Sequence, residues 1–170
     1  MKETPQQYVQ RILGYVGDQD PLAIQAQTAT NLERLIAGAS PSQLRRRSAP
    51  GKWSVAEILA HLADVEIVIG ARIQAILVAP GTPMQAMDQD ALVAAGHYDQ
   101  RDPRKSVAAF RVLRGMNLAL FETLTPEQWQ HHGIHSDRGP ETVEHIVRLY
   151  AGHDVNHIRQ IEQILTSSGR

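Results

Sequence analysis

His153 and His157 stand four residues apart near the C-terminal end of the chain, in the stretch Tyr150-Ala151-Gly152-His153-Asp154-Val155-Asn156-His157-Ile158. On an α-helix, residues four apart lie one above the other. The surrounding helical pattern puts Ile146, Leu149, Ile161 and Ile164 on the same face, with Asn156 and Gln160 beside it. Two imidazoles thus occupy positions where a packed helix carries leucine. His61 repeats the pattern upstream, on the face of Ile58, Leu62 and Val65. A buried neutral imidazole needs a hydrogen-bonding partner. The pair alone could find one in the backbone or in Asn117. Three buried imidazoles on two helices are harder to satisfy without a cation. Neutral imidazole nitrogens suit zinc, nickel, copper or iron, and not magnesium or calcium.

Three protein ligands leave a coordination position open, as catalytic zinc sites do and structural ones do not. Water bound there becomes acidic near neutral pH, and a bound low-molecular-weight thiol becomes a nucleophilic thiolate. The chain has no cysteine, so a thiol would have to come as a cosubstrate. The catalytic candidates are Asp64, Asp154 and Arg114. Asp64 is one turn from His61, Asp154 and Asn156 flank the two other rings, and Arg114 and Asn117 fall near an inner helix face. Each could orient a ring, act as a base or hold a ligand; each acid could equally be a solvated helix charge. His97 and Tyr98 fall in a long connection that could be a pocket wall or a surface loop. His131 and His135 form a second four-residue pair, but Gly133 between them argues against a shared helical face.

The elements that must position these residues are punctuated regularly. Thr4-Pro5-Gln6-Gln7, Ser40-Pro41-Ser42-Gln43 and Thr125-Pro126-Glu127-Gln128 each pair a hydroxyl cap with proline at the first helical position and glutamine three residues on. Asp20-Pro21 and Asp102-Pro103 start helices with Asp as the cap, and Ser54-Val55-Ala56-Glu57 is a capping box. The pattern predicts a short helix over 4–17 and long helices over about 21–36, 54–78, 103–124 and 140–166, with a loop at 133–139 and no strand. His61 lies about 10 Å from the start of its helix, while His153 and His157 lie about 22 Å from the start and 16 Å from the end of theirs. The levels match if those two helices are antiparallel. The long connection 79–102 can span a helix length and make this so. The expectation is an all-α, up-down-down-up four-helix bundle with short accessory helices, in one domain over 1–170.

A hydrophobic fraction of 42%, a charged fraction of 21% and a net charge of −1 are those of an ordinary globular protein and suggest no nucleic-acid or membrane partner. No apolar run reaches the ~18 residues of a membrane span, and MKETPQQYV lacks a signal-peptide core, so a cytoplasmic location is expected.

The ordered set Trp53-Ser54-x-x-Glu57-x3-His61-Leu62-x-Asp64-x-Glu66 and His153-Asp154-x3-His157-Ile158-x-Gln160-Ile161 resembles the DinB/YfiT-like superfamily. So do Leu124-Thr125-Pro126-Glu127-Gln128-Trp129 and His135-Ser136-x2-Gly139-Pro140-x-Thr142-Val143. The resemblance covers roughly residues 20 to 166. It implies a left-twisted four-helix bundle, often a homodimer, with a divalent metal on His61, His153 and His157, zinc or nickel being favoured. It implies no DNA binding. Characterised members include thiol S-transferases that use bacillithiol or mycothiol and a mycothiol-dependent maleylpyruvate isomerase, and many others are candidate metal-dependent hydrolases with no known substrate. The function expected is a metal-dependent thiol S-transferase or hydrolase acting on a small-molecule substrate; the alternative is a metal-binding or dimerising helical module without catalysis. Alanines at 23, 26, 29, 108, 109 and 119 are expected on outer faces that could pair in a dimer.

Overall fold

The computed structural model describes residues 3–167; residues 1–2 and 168–170 of the expected domain lie outside the described residues. Four helix starts are full capping boxes. Thr4, Ser40, Ser54 and Thr125 accept the N–H three residues on, and the Gln or Glu found there returns a bond to the cap's own N–H. These caps open α1 (Pro5–Val16), α3 (Pro41–Arg45), α4 (Val55–Val78) and α7 (Pro126–Gln130). Asp20 and Asp102 cap α2 (Pro21–Ile36) and α6 (Pro103–Phe121), and Thr142 caps α8 (Val143–Thr166). The long helices α2, α4, α6 and α8 form the bundle.

Two apolar clusters fix the helix directions. One end of the bundle gathers Leu32 and Ile36 from α2, Ile58 and Leu62 from α4, Val107 and Phe110 from α6, and Ile161 and Ile164 from α8. The other gathers Leu22 from α2, Ile73 and Ile76 from α4, Phe121 from α6, and Val143 and Val147 from α8. So α4 and α6 run one way while α2 and α8 run the other, in the expected up-down-down-up order. The parallel pair α4–α6 requires the chain to return along the bundle between them. That return carries α5 (Gln89–Ala95) and a 3₁₀ turn at Tyr98–Gln100.

The expectation of no strand is corrected. Three short strands, β1 (Pro83–Met84), β2 (His132–His135) and β3 (Gly139–Thr142), form a sheet in the order β1-β2-β3, parallel then antiparallel. Ile134 pairs with Pro83 on one side and Pro140 on the other. Strands of two to four residues are too short for a period-two run, and β1 and β3 contain proline, which is why alternation did not reveal them. The sheet lies across the second apolar cluster through Met84, and β3 leads straight into α8, which therefore starts at Val143 and not at Pro140. One outer-face expectation also fails. Ala29 is buried at 4% exposure in the first cluster, whereas Ala23, Ala26, Ala108, Ala109 and Ala119 are exposed.

Helix α1 lies across α8, and the crossing is set by Gly152. A Cβ there would stand 2.1 Å from the carbonyl oxygen of Ile12, so only glycine admits the α1 backbone this close. Among the described residues no helix is long and apolar enough to cross a membrane.

Candidate metal centre

His61 sits in the second turn of α4, in the stretch from Val55 to Ala63 that is buried throughout. His153 and His157 occupy successive turns of α8 facing it. The three rings are 2%, 4% and 5% exposed. Nε2 of His153 lies 3.2 Å from Nε2 of His61 and 3.0 Å from Nε2 of His157. Two nitrogens bound tetrahedrally to one zinc, each at 2.0–2.1 Å, are about 3.3 Å apart. The separations therefore fit a single ion shared by all three. The three residues are also the one group of three or more potential ligands brought together among the described residues.

The electrostatics suit that role. Burial pushes His61 down to about 3, with His157 adding to the effect. Burial pushes His157 down to about 4 against the opposing bond to Gln160. His153 is held well below the ordinary range by burial first, then by His157, His61 and Arg114. All three rings are neutral at physiological pH, which is the state in which imidazole ligates a metal. Gln160 Oε1 lies 2.8 Å from His157 Nδ1, so that nitrogen carries the proton and Nε2 presents its lone pair. Trp53 walls the site, 4.9 Å from the His61 ring and stacked on His157 at 6.4 Å, and Tyr150 meets His153 edge-on at 5.6 Å. His153 Nδ1 is buried without a hydrogen bond among the described residues.

The candidate catalytic residues fall elsewhere. Asp64 accepts from the Tyr98 hydroxyl at 2.6 Å and from Arg101 at 2.7 Å, so both its oxygens tether the return segment to α4. Tyr98 is buried at that anchor, and His97 is exposed in a left-handed conformation. Asp154 and Arg114 belong to a buried network. Arg114 donates to Glu66 at 2.9 and 2.7 Å, to Asp154 at 2.6 and 3.1 Å, and to the Gln25 carbonyl at 3.1 Å. Thr28 donates to Asp154, and Asn117 donates to the Glu66 carboxylate and carbonyl. Gly70 makes room for Asn117, whose Oδ1 would lie 2.6 Å from a Cβ at that position. The network ties α2, α4, α6 and α8 together at the level of the histidines. Asn156 accepts from Arg11 at 3.0 Å and so ties α1 to α8. His131, His132 and His135 do not converge: His132 is exposed on β2, and buried His135 accepts the Asp137 N–H at 3.2 Å.

A cleft of about 1020 Å³ opens beside the centre, and its lining includes Trp53, Asn156, His157 and Gln160 together with Tyr8, Arg11, Lys52, Gln89 and Asp90. In the sequence Trp53 and Glu66 stand out only as members of the family pattern, and nothing there marks Tyr8 or Gln89. Tyr8 reaches the site because α1 crosses α8 at Gly152, and no local pattern announces that crossing.

The family model for the DinB superfamily matches residues 26–161. The chain belongs to the DinB superfamily. Two DinB-like relatives are named as candidate metal-dependent hydrolases. YfiT of Bacillus subtilis is 27% identical over 139 residues, covering 81% of this chain and 78% of the relative. A protein of Oceanobacillus iheyensis is 24% identical over 149 residues, covering 85% and 83%. The solved structure of YfiT, whose four-helix bundle topology is described as unusual, superposes with a TM-score of 0.81 at 24% identity over 99% of this chain and 91% of that one. A mycothiol-dependent maleylpyruvate isomerase superposes with a TM-score of 0.62 at 12% identity, over 87% of this chain and 65% of that one. At these identities the superpositions speak for the DinB fold alone.

Proposed function

We propose that this DinB protein is a metal-dependent hydrolase that holds one divalent ion, zinc or nickel, on His61, His153 and His157. The observation that carries the reading is the convergence of three neutral Nε2 atoms at the edge of an open cleft. The ion supplies Lewis acidity toward a water or thiol and toward the substrate. The chain supplies the rest. Gln160 fixes the His157 tautomer. Trp53 and Tyr150 exclude water from the rings. The Arg114 network fixes the heights of α4 and α8 so that ligands from two helices meet. The names of the two relatives support the hydrolytic reading.

Thiol S-transfer is the second reading, favoured by the cleft. At about 1020 Å³ it stands at the upper end of small-ligand sites, roughly 300–1,000 Å³, leaving room for a thiol cosubstrate beside a small substrate. Charged groups of both signs, Arg11, Lys52 and Asp90, are among the lining that a polar thiol would meet.

The test begins with protein purified without a nickel column. Elemental analysis is expected to give about one divalent ion per chain, and His157→Ala is expected to lose it. Ester and amide panels, and electrophiles offered with small thiols, then separate the two reactions. Metal binding with no turnover in either panel would leave a non-catalytic metal-binding module. Unchanged metal affinity in His157→Ala would refute the centre itself.

A further inference from the structure

A second, smaller cavity of about 50 Å³ lies one helical turn from the three histidines, between α4 and α8. Val65 follows His61 by four residues and Leu149 precedes His153 by four; with Met87 they form its apolar wall. His153 forms part of the lining, and Tyr8 and Gln89 line both this cavity and the large cleft, so the two spaces adjoin at the metal centre. Its remaining polar walls are Tyr150 and Arg138.

These polar groups are donors with spare capacity. The Tyr8 hydroxyl makes no hydrogen bond among the described residues. Among the described residues the Tyr150 hydroxyl meets only a long 3.5 Å contact from Arg72, as acceptor, and its own proton has no acceptor. Arg138 uses Nε and Nη2 on Glu141, at 2.6 and 2.9 Å, and its Nη1 has no partner among the described residues. The groups also sense one another. Burial pushes Tyr8 up to about 12; Tyr150 and Glu3 add to the rise, and Arg11 and Arg138 oppose it. Arg11, 5.4 Å from the Tyr8 ring centre, pairs with Glu3, Arg138 pairs with Glu141, and Arg72 reaches the Tyr150 hydroxyl, so three guanidiniums and two carboxylates surround two phenols that can donate. Such a constellation, against an apolar wall, suits a group that only accepts hydrogen bonds and carries negative charge.

We propose that this cavity is a carboxylate subsite, which holds the carboxylate of a small organic acid whose reacting group lies at the three-histidine centre. It rests on the metal-dependent reading above and narrows its substrate class to short carboxylic acids. One helical turn is 5.4 Å, which about three or four bonds between the carboxylate carbon and the reacting atom can span once the carboxylate's own C–O bond is counted. Tyr8 and Tyr150 would donate to the carboxylate oxygens, and Arg138 Nη1 would supply a charge-assisted bond.

The experiment uses cobalt(II)-loaded protein, whose charge-transfer absorption reports a thiol arriving at the metal. Two probes of equal length are titrated, 3-mercaptopropionate and its neutral amide, 3-mercaptopropionamide. The acid is expected to bind at least about tenfold more tightly, the effect of one charge-assisted hydrogen bond. Tyr150→Phe and Tyr8→Phe are each expected to cut that preference to about threefold or less, leaving the amide's affinity unchanged. Arg138→Gln is expected to do the same, but it unpairs buried Glu141, so the two phenylalanine variants decide if it folds poorly. Absorption changes with both probes and no preference for the acid would overturn the subsite and leave the metal centre standing. A preference that survives all three variants would place the carboxylate on the metal and also overturn it. No absorption change with either probe would show that the centre takes no exogenous ligand and would remove both proposals.

Discussion

Arg114→Met is expected to be among the most destabilising single substitutions in the protein. Arg114 is 3% exposed and makes five hydrogen bonds, to Glu66, Asp154 and the Gln25 carbonyl. Its removal strands two carboxylates, 2% and 1% exposed, with no cation between them. Breaking a buried ion pair from one side costs roughly 3–5 kcal/mol, because the remaining charge stays desolvated. Against a total stability of about 5–15 kcal/mol this is a large share. With a urea slope near 2 kcal/mol per molar, the midpoint falls by about 2 M. The assay is urea unfolding of metal-free protein, followed by far-UV circular dichroism. Two companions make the reasoning specific. Glu66→Gln leaves Arg114 paired one-to-one with Asp154 and is expected to cost less than half as much. The triple variant Arg114→Met, Glu66→Gln, Asp154→Asn is expected to recover most of the loss, since replacing a whole buried network is far milder than halving it. A loss below about 1 kcal/mol for Arg114→Met, or a triple variant no better than the single one, would refute this account.

Gly152→Ala should lower stability by about 1–3 kcal/mol, because the new Cβ meets the Ile12 carbonyl at 2.1 Å and α1 must lift from α8; unchanged thermal unfolding would contradict the close crossing. Acid should destabilise the metal-free protein: burial holds His61 at about 3 and His157 at about 4, so the unfolded chain binds more protons below its usual 6.5. That stability is complete above pH 6.5 and is lost as pH falls toward 4, at up to about 3 kcal/mol per pH unit from the two rings; urea midpoints that stay flat from pH 7.5 to 5 would exclude it. A homodimer through the exposed face of α6 (Ala108, Ala109, Val112, Met116 and Ala119) is expected to give twice the monomer mass by light scattering at micromolar concentration, and Met116→Glu to halve it. A monomer mass for the unaltered protein would remove the dimer without touching the metal centre, whose ligands all come from one chain.

The bundle was legible in the sequence because its helix starts are written in local chemistry. A hydroxyl cap followed by proline and glutamine leaves little freedom, and those starts lie where expected. The topology was legible for a different reason: histidines on apolar faces had to meet at one level, which required antiparallel α4 and α8. What escaped was whatever depends on contacts distant in sequence. Asp64 stands one turn from His61 and reads as a site residue, yet Tyr98 and Arg101, 34 and 37 residues away, claim it. Asp154 adjoins His153 in sequence but points to Arg114 on another helix, since neighbours on a helix diverge by about 100°. Strand β2 escaped because its pairing partners, not its own alternation, define it.

The parallel arrangement of α4 and α6 has a kinetic consequence. His153 and His157 come together as soon as α8 forms one turn, but His61 is 92 residues from His153. Closing a loop of that length costs roughly 4 kcal/mol in chain entropy, and bundle packing must supply it before the third nitrogen arrives. An unfolded chain therefore offers a metal two nitrogens at most with ease, and tight capture waits for the return segment to have crossed and α4 to have docked. An ion held by all three rings would join the first half of the chain to its end, so that α8 could not peel away without releasing it, and the metal would slow unfolding more than it speeds folding. In a refolding trace this order would show as metal absorption lagging behind the helical signal.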